Sequence, residues 1–273
     1  MSKSIVEHSP LGKATDYPER YDPSLLFSMP RAPQREALGL TDVLPFTGID
    51  LWTAYEITWL DANGKPALAV AHFRVPAESP RLVESKSLKL YLGSFAQENL
   101  TGPSEFSRMV ESDLTRACGA DVLVELASVA DSAAEAPLPG ESLDGLSLAT
   151  DVYDPRPELL IARGPQVEET LRSALFRSRC PVTAQPDYGD VMIHYRGRAI
   201  DRAELLRYLV SYRRHPAFHE NCVERIFVDV LHRCAPQALS VYARFLRRGG
   251  IDINPFRSNF ERSPPPRIRT VRQ

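Results

Sequence analysis

A short internal repetition restricts the fold more than any other feature of this chain. KLYLGSF (89–95) returns as LRYLVSY (206–212), pairing Tyr91 with Tyr208, Ser94 with Ser211 and Phe95 with Tyr212. Ser94 lies 24 residues before Cys118, and Ser211 lies 23 before Cys234. A strand-like segment follows each cysteine. Around both copies the order reads strand, turn, strand, helix, helix, strand. Repetition of that order as well as of the letters implies two similar units. The fold class is therefore α+β, each unit an antiparallel sheet with paired helices on one face. A chain of 273 residues is long enough to give each unit a core.

The periodicities give the expected elements. Tyr55–Leu60 and Ala67–Val75 read as strands joined at the turn signal Asp61-Ala62-Asn63-Gly64. Leu88, Tyr91, Leu92 and Phe95 lie on one face of a helix. A second helix follows, with Thr101 as its N-cap and Pro103 in its first turn. Asp121–Val129 reads as a strand, and 131–150 as a loop. In the second copy Leu159–Ala162 is strand-like, and 167–183 stays ambiguous between helix and strand. AQPDYGD (184–190) reads as a turn before the strand Val191–Tyr195. Asp201 with Glu204 starts a helix in capping-box fashion. Cys222/Val223, Ile226/Phe227 and Val230/Leu231 make the clearest helical stripe. Leu239–Phe245 is a strand, and Arg247–Gly250 turns the chain into Ile251–Ile253. The Pro- and charge-rich residues 1–50 form an irregular lead-in, leaving 51–150 and 151–273 as the two modules.

Net charge of −2 gives no general attraction to a polyanion, so direct nucleic-acid binding is not expected. No apolar run approaches the roughly 18 residues of a membrane span, and the first twenty residues lack a signal-peptide core. Both point to the cytoplasm. Cys118, Cys180, Cys222 and Cys234 are irregularly spaced, as free thiols are and disulfide frameworks are not.

Four local clusters can carry chemistry. ESKSLKLY (84–91) sets Lys86 and Lys89 in the first turns of a helix, where cations are disfavoured; it reads as an anion site or as a solvated lysine face. In FRSRCPVTAQPDYGD (176–190) Cys180 sits between Arg177, Arg179 and a proline-bounded turn that leads to Asp187. It reads as a thiolate nucleophile or as a buried structural cysteine. HPAFHENCVERI (215–226) sets His219 and Glu220 at a helix start, with Cys222 three residues beyond His219. A carboxylate there reads as a ligand contact or as a dipole partner. RRGGIDINPFRSN (247–259) reads as a phosphate site or as a tight hairpin with an arginine rim. A Rossmann glycine fingerprint and a Walker A sequence are both missing from the chain.

Together ESKSLKLY, the Cys180–Asp187 segment, FHENCVERI and RRGGIDINP resemble the NADPH-dependent 7-cyano-7-deazaguanine reductases of queuosine biosynthesis. LGKATDY (11–17) and YDPSLL (21–26) extend the likeness to the two-module form. The resemblance implies two tandem tunnelling-fold modules, related to GTP cyclohydrolase I, in a homodimer. It implies reduction of a deazapurine nitrile to a primary amine by two NADPH without a metal. Cys180 is then the nucleophile and Asp187 the proton donor. Val83, Glu84, Ser85, His219 and Glu220 contact the substrate. Ser85, Lys86, Arg248 and Gly249 contact NADPH. Two rival readings remain. One is a zinc hydrolase of the GTP cyclohydrolase kind, with Cys180, His219 and Cys222 as ligands. The other is a non-catalytic purine- or pterin-binding module.

Overall fold

The computed structural model describes residues 17–41, 43–131, 134–266 and 268–273. Residues 11–16 of the LGKATDY motif lie outside them. The chain divides into two compact units. Of the described residues, the first comprises 17–41, 50–131 and 247–253; the second comprises 43–49, 134–246, 254–266 and 268–273. Each unit thus includes a strand end that the linear division 1–50, 51–150 and 151–273 assigns elsewhere.

The first unit contains β1 (Ser28–Pro30), the short α1 (Ala32–Glu36), most of β2 (Thr47–Leu60), β3 (Pro66–Pro76), β4 (Arg81–Val83), α2 (Ser85–Gly93), α3 (Pro103–Cys118) and β5 (Leu123–Ala127). β1 and β4 pair antiparallel. β3 lies between β2 and β5. The Asp61 carboxylate accepts the amides of Asn63 and Lys65 and closes the β2–β3 turn. Alternate β3 residues Ala69, Ala71, Phe73 and Val75 face Leu88, Tyr91, Phe95, Phe106, Val110 and Leu114 of the helical layer. The α2 and α3 stripes expected from sequence are therefore their core faces. Gly102 occupies the α3 cap position, and Thr101, one residue earlier, donates twice to Glu105.

The second unit contains β6 (Glu141–Ser142), β7 (Ala162–Arg179), β8 (Pro186–Ile200), α4 (Arg202–Val210), α5 (His219–Cys234), β9 (Ala238–Phe245) and the latter part of β10 (Ile251–Ser258). Its strands run in the order β10-β9-β8-β7-β6. All of these pair antiparallel except β6, which is parallel to β7. The ambiguous 167–183 segment belongs mostly to β7. The expected turn at 184–190 is instead mostly strand: β8 begins at Pro186, a position where a missing N–H is tolerated. From there burial alternates through Asp187, Tyr188 and Gly189. The reversal falls at 180–185.

The repetition persists in three dimensions. α2 and α4 are 9 residues long, α3 and α5 are 16. Ser94 Oγ donates to the Tyr91 carbonyl and Ser211 Oγ to that of Tyr208, each at 2.6 Å. Tyr91 donates to Asp113 and Tyr208 to Asp229, each at 2.7 Å. The copies differ at Phe95, which lacks the hydroxyl of Tyr212. Tyr21 from the lead-in packs on Phe95 and gives Asp113 its second phenol at 2.5 Å.

Candidate active site

In the second unit, β7 and β8 form a hairpin whose loop opens with Cys180. Two backbone bonds close the loop: the Cys180 amide donates to the Gln185 carbonyl at 2.9 Å, and the Ala184 amide to the Cys180 carbonyl at 3.1 Å. Ala184 takes the left-handed conformation, φ +57°, unusual for a residue with a Cβ. The Thr183 amide lies 3.5 Å from Cys180 Sγ and orients the sulfur. Cys180 is 6% exposed. The Arg177 guanidinium donates to the Arg213 carbonyl at 2.6 Å and lies over the Tyr188 ring.

Asp187 is the second residue of β8 and pairs in register with Ser178. It is buried. His219 and Glu220 open α5, where the helix dipole favours a carboxylate. His219 Nε2 stands 3.6 Å from Asp187 Oδ2. The imidazole stacks on the Phe245 ring, centroids 4.0 Å apart and planes at 10°. Its Nδ1 is buried without a hydrogen-bond partner among the described residues. Glu220 is 2% exposed. Cys222, one turn along α5, has its thiol pushed up to about 12. Burial is the main cause; the Asp187 and Glu220 charges add to it and the Ser178 hydroxyl opposes it. Cys222 thus remains a neutral thiol beside the two carboxylates.

The first unit holds the remaining expected residues. Val83 ends β4, and Glu84 is the N-cap of α2. The Glu84 carboxylate accepts the amides of Lys86 and Ser87 at 2.7 and 2.8 Å, and the Ser85 hydroxyl at 3.3 Å. Burial pushes the carboxyl up, against those bonds and the Lys86 charge. Gly249 and Gly250 both adopt positive φ, +60° and +86°, as a two-residue hairpin turn requires. Arg248 and Ile251 exchange backbone bonds across it. A Cβ on Gly249 would stand 3.1 Å from Lys89 Nζ and 3.2 Å from its Cδ, so this glycine admits the lysine stem. The Arg247 guanidinium lies 4.6 Å over the Tyr55 ring, whose hydroxyl donates to Asp252 at 2.5 Å. Lys86 and Lys89 share a helix face one turn apart. Lys89 thus reaches the bare Gly249 of the turn that follows Arg247 and Arg248.

Sequence reasoning therefore separates into two groups: Val83–Lys86 with Arg248 and Gly249 in one unit, and Cys180, Asp187, His219 and Glu220 in the other. Phe245 and Thr183, which contact the His219 ring and the Cys180 sulfur, lie outside both groups. An aromatic ending a strand carries no signal beyond core packing, and Thr183 makes its contact through its backbone. Among the described residues no group of three His, Cys, Asp or Glu side chains is arranged for a metal ion.

Comparison with known proteins gives this arrangement its context. Residues 17–126 match the family model described as nitrile reductase, 7-cyano-7-deazaguanine-reductase N-term, and residues 186–264 match that of the QueF-like proteins. An NADPH-dependent 7-cyano-7-deazaguanine reductase from Burkholderia ambifaria is 58% identical over 271 residues, covering 98% of this chain and 99% of its own. Proteins of that name from Burkholderia cenocepacia and Burkholderia multivorans are each 57% identical, with the same coverage. Likeness of this degree along nearly the whole length shows that the chain belongs to the 7-cyano-7-deazaguanine reductase family.

Proposed function

We propose that the protein reduces the nitrile of 7-cyano-7-deazaguanine to the primary amine 7-aminomethyl-7-deazaguanine. The observation that carries this reading is the β7–β8 hairpin, whose loop opens with Cys180 and whose second strand carries buried Asp187, with His219 at 3.6 Å from that carboxylate. A nitrile carbon is a weak electrophile, and a thiol nucleophile divides a difficult reduction into easier steps. As Cys180 Sγ adds to the nitrile carbon, Asp187 takes the thiol proton and passes it to the nitrile nitrogen, giving a thioimide. His219 orients that carboxylate. Glu220, buried at the start of α5, accepts N–H groups of the deazaguanine edge, and Glu84 supports the ring from the helix cap that it forms. NADPH supplies hydride, two equivalents per nitrile because nitrile to amine takes four electrons. Lys86, Arg248 and the bare Gly249 hold its phosphates, with Ser85 at the helix start.

The same reading takes 51–150 and 151–273 as tunnelling-fold modules, no metal as part of the chemistry, a homodimer as the assembly and the cytoplasm as its place. Among the described residues no helix is long and apolar enough to cross a membrane. The deciding experiment is intact-protein mass spectrometry with the nitrile and no NADPH. One added substrate mass is expected, and none in Cys180→Ala. An adduct that survives in that variant moves the nucleophile to another cysteine.

A further inference from the structure

We infer that Phe245, held in place through Gln273, is a positioning residue for His219 and through it for Asp187. The inference rests on the reading of Cys180, Asp187 and His219 as the reaction centre. All of its parts lie in the second unit.

The Phe245 ring is confined on three sides. His219 stacks on it, nearly parallel at 4.0 Å. Phe176 meets it edge-on at 5.9 Å. Gly189, its register partner on β8 and two residues beyond Asp187, leaves the space it fills. A Cβ at Gly189 would stand 3.2 Å from the ring's Cδ1 and 3.3 Å from Cε1. The ring therefore spans the residue next but one to Asp187 and the imidazole that faces Asp187. The stack sets the imidazole plane, and with it the direction of Nε2 toward the carboxylate.

The backbone of Phe245 is itself fixed from the segment Thr270–Gln273. The Phe245 amide donates to Asn254 Oδ1 at 3.2 Å, and its carbonyl accepts Gln273 Nε2 at 3.2 Å. Gln273 Nε2 also donates to Asn254 Oδ1 at 2.7 Å, while Gln273 Oε1 accepts Arg244 Nε at 2.5 Å. These groups are all buried, where a completed polar network holds one geometry. Arg272 extends the hold to the other side of the hairpin. Its guanidinium donates to the Ala174 carbonyl at 2.5 Å and the Gly189 carbonyl at 3.1 Å. Ala174 lies in the β7 irregularity between Ser173 and Phe176, after which the register brings Ser178 opposite Asp187. The segment thus secures both strands of the hairpin that holds Cys180 and Asp187, and the ring that aims the imidazole.

The test is steady-state kinetics on the full-length protein with the nitrile and NADPH. Phe245→Leu should lower kcat by roughly tenfold to a hundredfold, the scale of a misplaced reacting group, with KM for the nitrile little changed. Phe245→Tyr, which keeps the ring, should restore most of kcat. Gln273→Ala should act in the same direction as Phe245→Leu. In a His219→Ala background Phe245→Leu should have no further effect on kcat, because the ring acts through the imidazole. Should Phe245→Leu fail to fold, Gln273→Ala takes its place in that cycle. Additive losses in the cycle, or a loss confined to KM, would overturn the proposal alone. Cys180→Ala is the control: turnover persisting in it would overturn the assignment of the reaction centre and this proposal with it.

Discussion

Asp187 is a buried carboxylate on a strand whose reversal begins at Cys180. Its exchange for Asn keeps the shape and removes the transferable proton. Turnover of Asp187→Asn should fall by roughly 10²–10⁴-fold, the range for a general acid–base group. Noncovalent affinity for the nitrile, measured calorimetrically in a Cys180→Ala background, should stay near its parent value. Near-normal turnover would return Asp187 to a structural role. Glu220→Leu should weaken substrate binding by about 2–5 kcal/mol in the same calorimeter, since buried N–H groups lose a charged acceptor; unchanged affinity would remove Glu220 from the site. Cys180 and Asp187 could be proposed together from the sequence because they are close along it and joined by turn residues. The stack of His219 on Phe245 could not, because nothing local distinguishes a ring that packs on an imidazole from one that fills a core.

At the scale of elements, the β7–β8 hairpin is moored to the segment leading into α5. Arg179 donates to the His215 carbonyl at 2.9 Å and accepts the Ala217 amide at 3.1 Å. The His215 imidazole, set edge-on to Tyr212, is held down to about 4 by burial first and by the Arg225 charge second, with Asp154 opposing. The folded form thus resists protonation more than the unfolded chain, whose histidine titrates near 6.5. Stability contributed by neutral His215 is complete above pH 6.5 and is lost as pH falls toward 4. Urea unfolding should show this loss, and His215→Gln should flatten that part of the profile; an equally steep variant would acquit His215. The Gly249–Gly250 turn makes a second element-scale prediction. Lys86→Ala and Arg248→Ala should each raise KM for NADPH more than KM for NADH, and equal changes would deny these residues the extra phosphate. The hairpin itself was hard to read because the first half of β7 buries no side chain and carries polar residues on both faces, as in Glu168, Glu169 and Thr170, and buried positions recur only from Leu171 on. A periodicity argument needs a contrast between faces, and here burial, not composition, supplies it.

For the molecule as a whole, each unit contains an ion pair removed from water. Arg31 meets Asp50 at 2.6 Å in the first, and Arg257 meets Glu224 at 2.9 Å in the second. Removing one member leaves a charge without its counter-ion, so Arg257→Ala should cost about 3–5 kcal/mol of unfolding free energy. A denaturant midpoint unchanged from the parent would contradict this. The proposed homodimer is checked by sedimentation equilibrium, which should return twice the 30.6 kDa of the chain; a monomer mass would dismiss it. Two units were legible because Tyr91 and Tyr208 repeat with their neighbours. The sharing of β2 and β10 was not, since strand partners so far apart leave no mark in a local window.

That sharing also bears on how the chain is made. In the first unit the Tyr55 amide donates to the Gly250 carbonyl, and the Tyr55 hydroxyl reaches Asp252, 197 residues away. A ribosome adding about 5–20 residues per second needs roughly 10–40 s to travel that distance. Until β10 emerges, one side of β2 has no partner from that strand, and an open strand side accepts any strand that meets it. The nascent protein is therefore open to association at β2 through the whole interval between the synthesis of β2 and that of β10.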